Sequence, residues 1–155
     1  MGIKANFTSE DIKTRMNAFL DAIEKAQIKR LQELGEMCLR EARNNKGYMM
    51  QTGALLSSTG YKIYVDGVAL HSKFDAASGA ESEAATKGIN TGSAVADSIG
   101  KKTKGVALVV VAGMNYASYV EAKGYNVLSS ANHLAESELP RMLEKLITNI
   151  KRAAE

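Results

Sequence analysis

The chain carries one cysteine, two histidines and one proline among 155 residues, and each scarcity closes off a kind of chemistry. Cys38 has no second cysteine with which to form an internal disulfide, and no Cys/His spacing matches a zinc site. A reducing compartment is therefore expected and a metal centre is not. Charge of one sign is scarce too. Lys and Arg number 20 against 17 Asp and Glu, and the net charge of +3 falls well short of the dense basic surface that phosphate-backbone binding calls for. Long hydrophobic runs are missing as well. The longest, Val106 to Ala112, is far shorter than a membrane span, and the N-terminal stretch MGIKANFTSEDIK holds no apolar segment of signal-peptide length. The expectation is an intracellular protein without a membrane partner.

What is present suffices for one hydrophobic core. With 45% apolar residues, positions 1–155 read as a single domain. Residues 8–43 read as one helix, because Thr8 can cap its first turn with Asp11 and apolar side chains recur at Ile12, Met16, Phe19, Leu20, Ile23, Leu31, Leu34, Cys38 and Ala42. Some 36 residues of helix span about 54 Å, longer than a domain of this size is wide. Either the helix bends at Gly35 or part of it projects toward another subunit.

Thr52 is placed to cap a short turn through Gly53, Leu55 and Ser58, after which Tyr61, Ile63 and Val65 alternate with Lys62 and Tyr64 as in a strand. Asp66-Gly67 supplies a two-residue hairpin turn, and Val68 to Ser72 returns as the second arm. From 74 to 105 the composition shifts to Ala, Ser, Gly, Glu and Lys, which predicts a mobile polar loop with at most one helical turn near Ser93 to Ile99. Val106 to Ala112 reads as a strand covered on both faces or central to the sheet. In the stretch that follows, Asn115 can cap a turn from Tyr116 to Lys123 that Gly124 ends. Tyr116, Tyr119 and Val120 then share a face, read as a core corner, with Tyr119 and Glu121 as the alternative contact to a neighbour. A last helix opens at Ser129 or Ser130 and restarts at Ser137 with Pro140 in its first turn. The fold class is α+β, a small antiparallel sheet packed by a long N-terminal and a C-terminal helix.

Catalytic constellations are thin. A nucleophile needs an adjacent base, and the one conceivable set is Thr52 or Ser58 with His71, since His133 stands near a helix start. Cys38 falls on the apolar stripe of the long helix, as a small buried hydrophobe would. The acidic pairs Glu81/Glu83 and Glu136/Glu138 point apart at i,i+2 and read as solvated surface. No glycine pattern cradles a phosphate. Lys101, Lys102 and Lys104 could meet a polyanion, yet no aromatics interleave to stack bases. As flanking charges they guard the apolar strand against aggregation.

Two stretches carry a family likeness. Gln51-Thr52-Gly53-Ala54-Leu55-Leu56-Ser57-Ser58 before the hairpin, and Gly113-Met114-Asn115-Tyr116-Ala117-Ser118-Tyr119-Val120-Glu121 after the last strand, resemble the TGxLxxS and YAxYVE signatures of the phage tail-completion, or head-tail joining, family. The order of elements matches along nearly the whole chain. Two positions depart from the pattern: Gln51 stands where an Asp commonly precedes Thr-Gly, and Ala122-Lys123-Gly124-Tyr125 replaces a common Phe-Gly-Thr. The resemblance implies a virion structural protein without catalysis or cofactor, which forms a ring, often of six subunits, at the virion neck. Its implied partners are itself, head connector or adaptor proteins, and tail tube or terminator proteins, met in the bacterial cytoplasm during assembly. The 74–105 segment, with Lys101, Lys102 and Lys104, is the candidate for reaching a neighbour or packaged DNA in the channel. Connector adaptor, tail terminator and small DNA-binding protein are the alternatives.

Overall fold

The computed structural model describes residues 1–155 and is α+β: five helices around a three-stranded antiparallel sheet. In chain order the elements are α1 (Ser9–Asn44), α2 (Ala54–Ser57), β1 (Thr59–Val65), β2 (Val68–Lys73), α3 (Ser82–Gly100), β3 (Val106–Ala112), α4 (Ala117–Ala122) and α5 (Ser129–Ala154). The strand order is β2-β1-β3, so β1 is central and β3 is an edge strand covered on both faces.

Strand alternation sorts the core into two layers. Tyr61 and Ile63 of β1 face α1, where they meet Leu39 with Leu108 and Val110 of β3 beside them. Tyr64, Val109 and Val111 face the opposite way and pack against Ala96 of α3. The two-residue turn between β1 and β2 has Asp66 at φ 48 and Gly67 at φ 81, the paired positive angles that match the twist of a hairpin. The Asp66 carboxylate accepts from the Gly105 N–H at 2.8 Å, and the Gly105 carbonyl accepts from the Asp66 N–H, so the hairpin tip is tied to the entry of β3.

α1 begins with a complete capping box, as Thr8 accepts from the Asp11 N–H and the Asp11 carboxylate accepts from the Thr8 N–H at 2.8 Å. It runs unbroken to Asn44. Gly35 marks a close contact: a Cβ there would stand 2.6 Å from the Tyr61 ring. Beyond the body, residues 9–22 of α1 are all exposed, including Ile12, Met16, Phe19 and Leu20. The helix therefore projects.

Two expectations need correcting. The segment 74–105 is mostly helix, since α3 fills positions 82–100 and lies on the sheet through Ala85, Gly88, Gly92, Ala96 and Gly100. These residues, spaced three or four apart, form a face so shallow that the helix backbone nears the chain beneath. A Cβ on Gly88 would strike the Ala54 carbonyl and one on Gly92 the Ser58 carbonyl. Large apolar residues are absent there because there is no room for them. The second correction concerns α5, which passes through Pro140 without restarting. Pro140 is exposed, while Ala131 and Leu146 are buried on either side and partly buried Leu139 and Met142 pack against α1. Packing holds the helix together across one missing hydrogen bond.

Candidate functional site

The two motif stretches meet at the end of the sheet where β1 starts and β3 stops. Gly53, at φ 87, turns the chain into α2, which is buried along its whole length. The Ser58 hydroxyl then joins the motifs: it donates to the Leu55 carbonyl at 2.7 Å and accepts from the Gly113 and Met114 N–H groups at 3.1 and 3.3 Å. Leu55 packs with Ala54, Met114, Ala117 and Val127, and Val120 covers that cluster from α4. Thr52 does less than expected. It is exposed, and its hydroxyl lies 3.4 Å from the Ala54 N–H, while Gly53 occupies the cap position of α2.

α4 corrects the expected corner. Tyr116, not Asn115, stands at the cap position, with no side-chain cap, and Gly124 at φ 84 ends the turn. Only Ala117 and Val120 turn inward. Tyr116 is 41% exposed and Tyr119 64%, so the tyrosines face solvent rather than core. The Lys123 ammonium sits 5.2 Å over the Tyr119 ring. Tyr125 at 52% and Met49 at 90% extend the same surface around a cleft of about 510 Å3, which residues 47–56 line together with Tyr116, Val120 and Tyr125. Inside it the half-buried Tyr48 hydroxyl is pushed up to about 12 by burial.

Glu121 serves its own chain. Its carboxylate accepts from the Val127 N–H at 3.0 Å, the Leu128 N–H at 2.6 Å and the Ser129 hydroxyl, the first free donors at the start of α5. Burial pushes this carboxyl up, but those hydrogen bonds outweigh it and hold it below the ordinary glutamate value. Asn126 completes the junction by accepting from the Ser130 N–H at 3.0 Å and donating to the Asn45 carbonyl at 2.8 Å.

Lys101, Lys102 and Lys104 are exposed in the turn between α3 and β3, packed against the hairpin tip, where the Lys101 carbonyl lies 2.7 Å from a Cβ placed on Gly67. The structure does not bring them to the motif corner, because the seven residues of β1 put about 20 Å between the two ends of the sheet. His71 is apart from Ser58 as well. It lies against the α1 side, where its Nε2 is 3.1 Å from the Tyr61 hydroxyl, and that hydroxyl donates to Glu36 at 2.6 Å. Cys38 is buried at the α1–α5 contact, its thiol pushed up by burial. Glu81 and Glu83 stand at the start of α3; Glu136 and Glu138 lie along α5, accepting from Asn132 and Arg141. No group of three or more His, Cys, Asp or Glu side chains could hold a metal ion, and no helix is long and apolar enough to cross a membrane.

Sequence reasoning missed one part-buried polar cluster. Lys62, on the α3 face of β1, donates to Asp97 at 2.9 Å, and the Tyr64 hydroxyl donates to the same carboxylate oxygen at 2.8 Å. Those hydrogen bonds, the Lys62 ammonium first, hold Asp97 below its usual range, while burial and the bond to Asp97 push the Tyr64 hydroxyl up. A lysine at an inward strand position was the available signal. No protein-family model matches the chain, and no curated protein and no solved structure matches it.

Proposed function

We propose that the chain is a structural protein of a phage or prophage virion neck, which joins the tail to the head connector by forming an oligomeric ring and works through contact rather than catalysis. One observation carries this reading: the two stretches that resemble the head-tail joining signatures, 55 positions apart in sequence from Ser58 to Gly113 at their near edges, share the buried Ser58 hydroxyl as a common anchor. A shared anchor gives both stretches one structural reason to exist. Around it, Met49 and the tyrosines Tyr116, Tyr119 and Tyr125 make an exposed surface of the composition enriched at protein interfaces. In this proposal that surface meets the next subunit, and Lys101, Lys102 and Lys104, at the far end of the sheet, turn toward packaged DNA.

The test is size-exclusion chromatography with light scattering across a concentration series, alone and with candidate connector and tail proteins, followed by negative-stain microscopy. Closed rings with a central hole, lost when Tyr116 and Tyr119 are both changed to Ser, support the proposal. Normal virion assembly by that double variant would sink it. Replacing the three lysines by Gln leaves ring formation intact and flattens any salt-dependent DNA affinity.

A further inference from the structure

The projecting half of α1 and the groove at its other half belong to one face of one helix. At about 100° per residue, the arm residues Ile12, Met16, Phe19, Leu20 and Ile23 and the inner residues Gln27, Arg30, Leu31, Leu34 and Cys38 all fall within about 120° around the axis. The first four arm residues are 46%, 58%, 38% and 57% exposed. The inner residues form one wall of a groove of about 630 Å3, lined mainly by apolar side chains, with β3 as its floor and α5 as its far wall. A soluble helix does not leave such a stripe bare without a partner for it.

We propose that two copies of this chain pair through α1, antiparallel about a two-fold axis near residue 25, each arm seated in the other's groove between α1 and α5. The sequence fits this occupant position by position. An antiparallel register in which paired positions sum to 50 sets Ile12 against Cys38, Met16 against Leu34, Phe19 against Leu31, Leu20 against Arg30 and Ile23 against Gln27. Phe19, Leu20 and Ile23 then meet the part-exposed Leu31, Arg30 and Gln27, while Met16 and Ile12 run on across the mouth of the groove, above Leu34 and Cys38 that α5 already buries. Each half of the match covers eleven steps, about 17 Å of helix. In an antiparallel pair the same flank of each helix meets its counterpart. There Arg15 comes beside Glu33 of the second copy and Asp11 beside Arg40, two opposite-charge pairs on either side of the axis. Leu143 and Ile147, exposed on α5, flank the seated arm.

The area suffices. Taking roughly 100 Å2 left bare on each large side chain, half of about 200 Å2, one seated arm and its groove remove about 600 Å2 from water. Reciprocal seating doubles this to about 1,200 Å2, the lower bound for stable specific interfaces. The pairing is isologous, closes on itself, and stands independently of the neck reading.

The experiment is light scattering after size exclusion on the full chain and four variants: Phe19→Glu, Arg15→Glu, Glu33→Arg, and the last two combined. The wild type should run at twice its 16.6 kDa mass, or at a whole multiple of that dimer where rings form. Phe19→Glu, on the exposed arm, should run as a monomer with an unchanged far-UV circular dichroism spectrum. Each single charge reversal should weaken the dimer about threefold or more, and the double reversal should restore it. A wild-type monomer at every concentration overturns the pairing. So does any assembly whose mass Phe19→Glu leaves unchanged, including a ring that would uphold the neck reading. Dissociation by Phe19→Glu without rescue by the double reversal overturns the register.

Discussion

Replacing Ser58 by Ala isolates the contact that joins the two motif stretches. The hydroxyl makes three hydrogen bonds, but their loss is unequal. The Leu55 carbonyl keeps the Ser58 N–H at 3.1 Å and the Thr59 hydroxyl at 3.2 Å, and the Gly113 N–H keeps the Ser58 carbonyl at 3.2 Å. Only the Met114 N–H, on a residue 8% exposed, is left without a partner. A single orphaned buried donor costs about 1–3 kcal/mol. We therefore expect Ser58→Ala to lose about 2 kcal/mol, which for a chain of this size lowers Tm by roughly 4–8 °C. The comparison is Thr52→Ala, six residues earlier in the same stretch, whose exposed hydroxyl makes one long contact. That change should stay within about 0.5 kcal/mol. Urea unfolding followed by circular dichroism measures both, with an unchanged m-value confirming that the same structure is being unfolded. Equal losses for the two variants would refute the accounting, because they would mean that the buried anchor is no more demanding than a surface hydroxyl.

Three further outcomes follow from the packing. Glu121→Gln turns an amide N–H2 toward donors and should lose roughly 1–3 kcal/mol by the same urea assay. Its pH dependence has a definite sign: the folded carboxyl lies below the ordinary 4.5, so its stabilisation is present above that value and lost as pH falls through the folded value. The wild-type urea midpoint should therefore drop below about pH 4.5, and more steeply than that of Glu121→Gln. Gly92→Leu, which drives a side chain into the Ser58 backbone, should lose roughly 3 kcal/mol or more and broaden the amide NMR spectrum; a native-like spectrum would contradict the close approach of α3. Pro140→Ala restores an N–H facing the Glu136 carbonyl on an exposed helix surface and should raise Tm by a few degrees in calorimetry.

The parts of the fold that were legible in the sequence are those where large residues keep a period or a turn demands special angles. The α1 stripe with its Thr8–Asp11 box, and the Asp66-Gly67 hairpin, are of this kind. α3 was hidden because its buried face is built from Ala85, Gly88, Gly92, Ala96 and Gly100, and a search for large apolar residues passes over a helix whose contact depends on having none. The regular spacing of small residues was the available signal. The site was half legible. Gly53, Leu55, Val120 and Gly124 act in the structure as their residue types suggest. The outward turn of Tyr116 and Tyr119 and the inward use of Glu121 were not legible, because they depend on where the α5 entrance lies relative to α4, a tertiary fact.

The central position of β1 has a consequence for the order in which the chain assumes its shape. Its pairing with β2 closes through two residues, a step of microseconds. Its pairing with β3 cannot begin until a segment of 41 positions, from Val65 to Val106, has been made and folded back with α3 in place. On the ribosome β1 therefore waits with one edge open while Tyr61, Ile63 and Tyr64 lack their eventual cover from β3, a surface suited to pairing with the wrong chain. Lys62, in the middle of that strand and without its partner Asp97 until α3 arrives, puts a charge where such mispairing would bury it. The ion pair of the finished protein thus begins as a guard on the unfinished one.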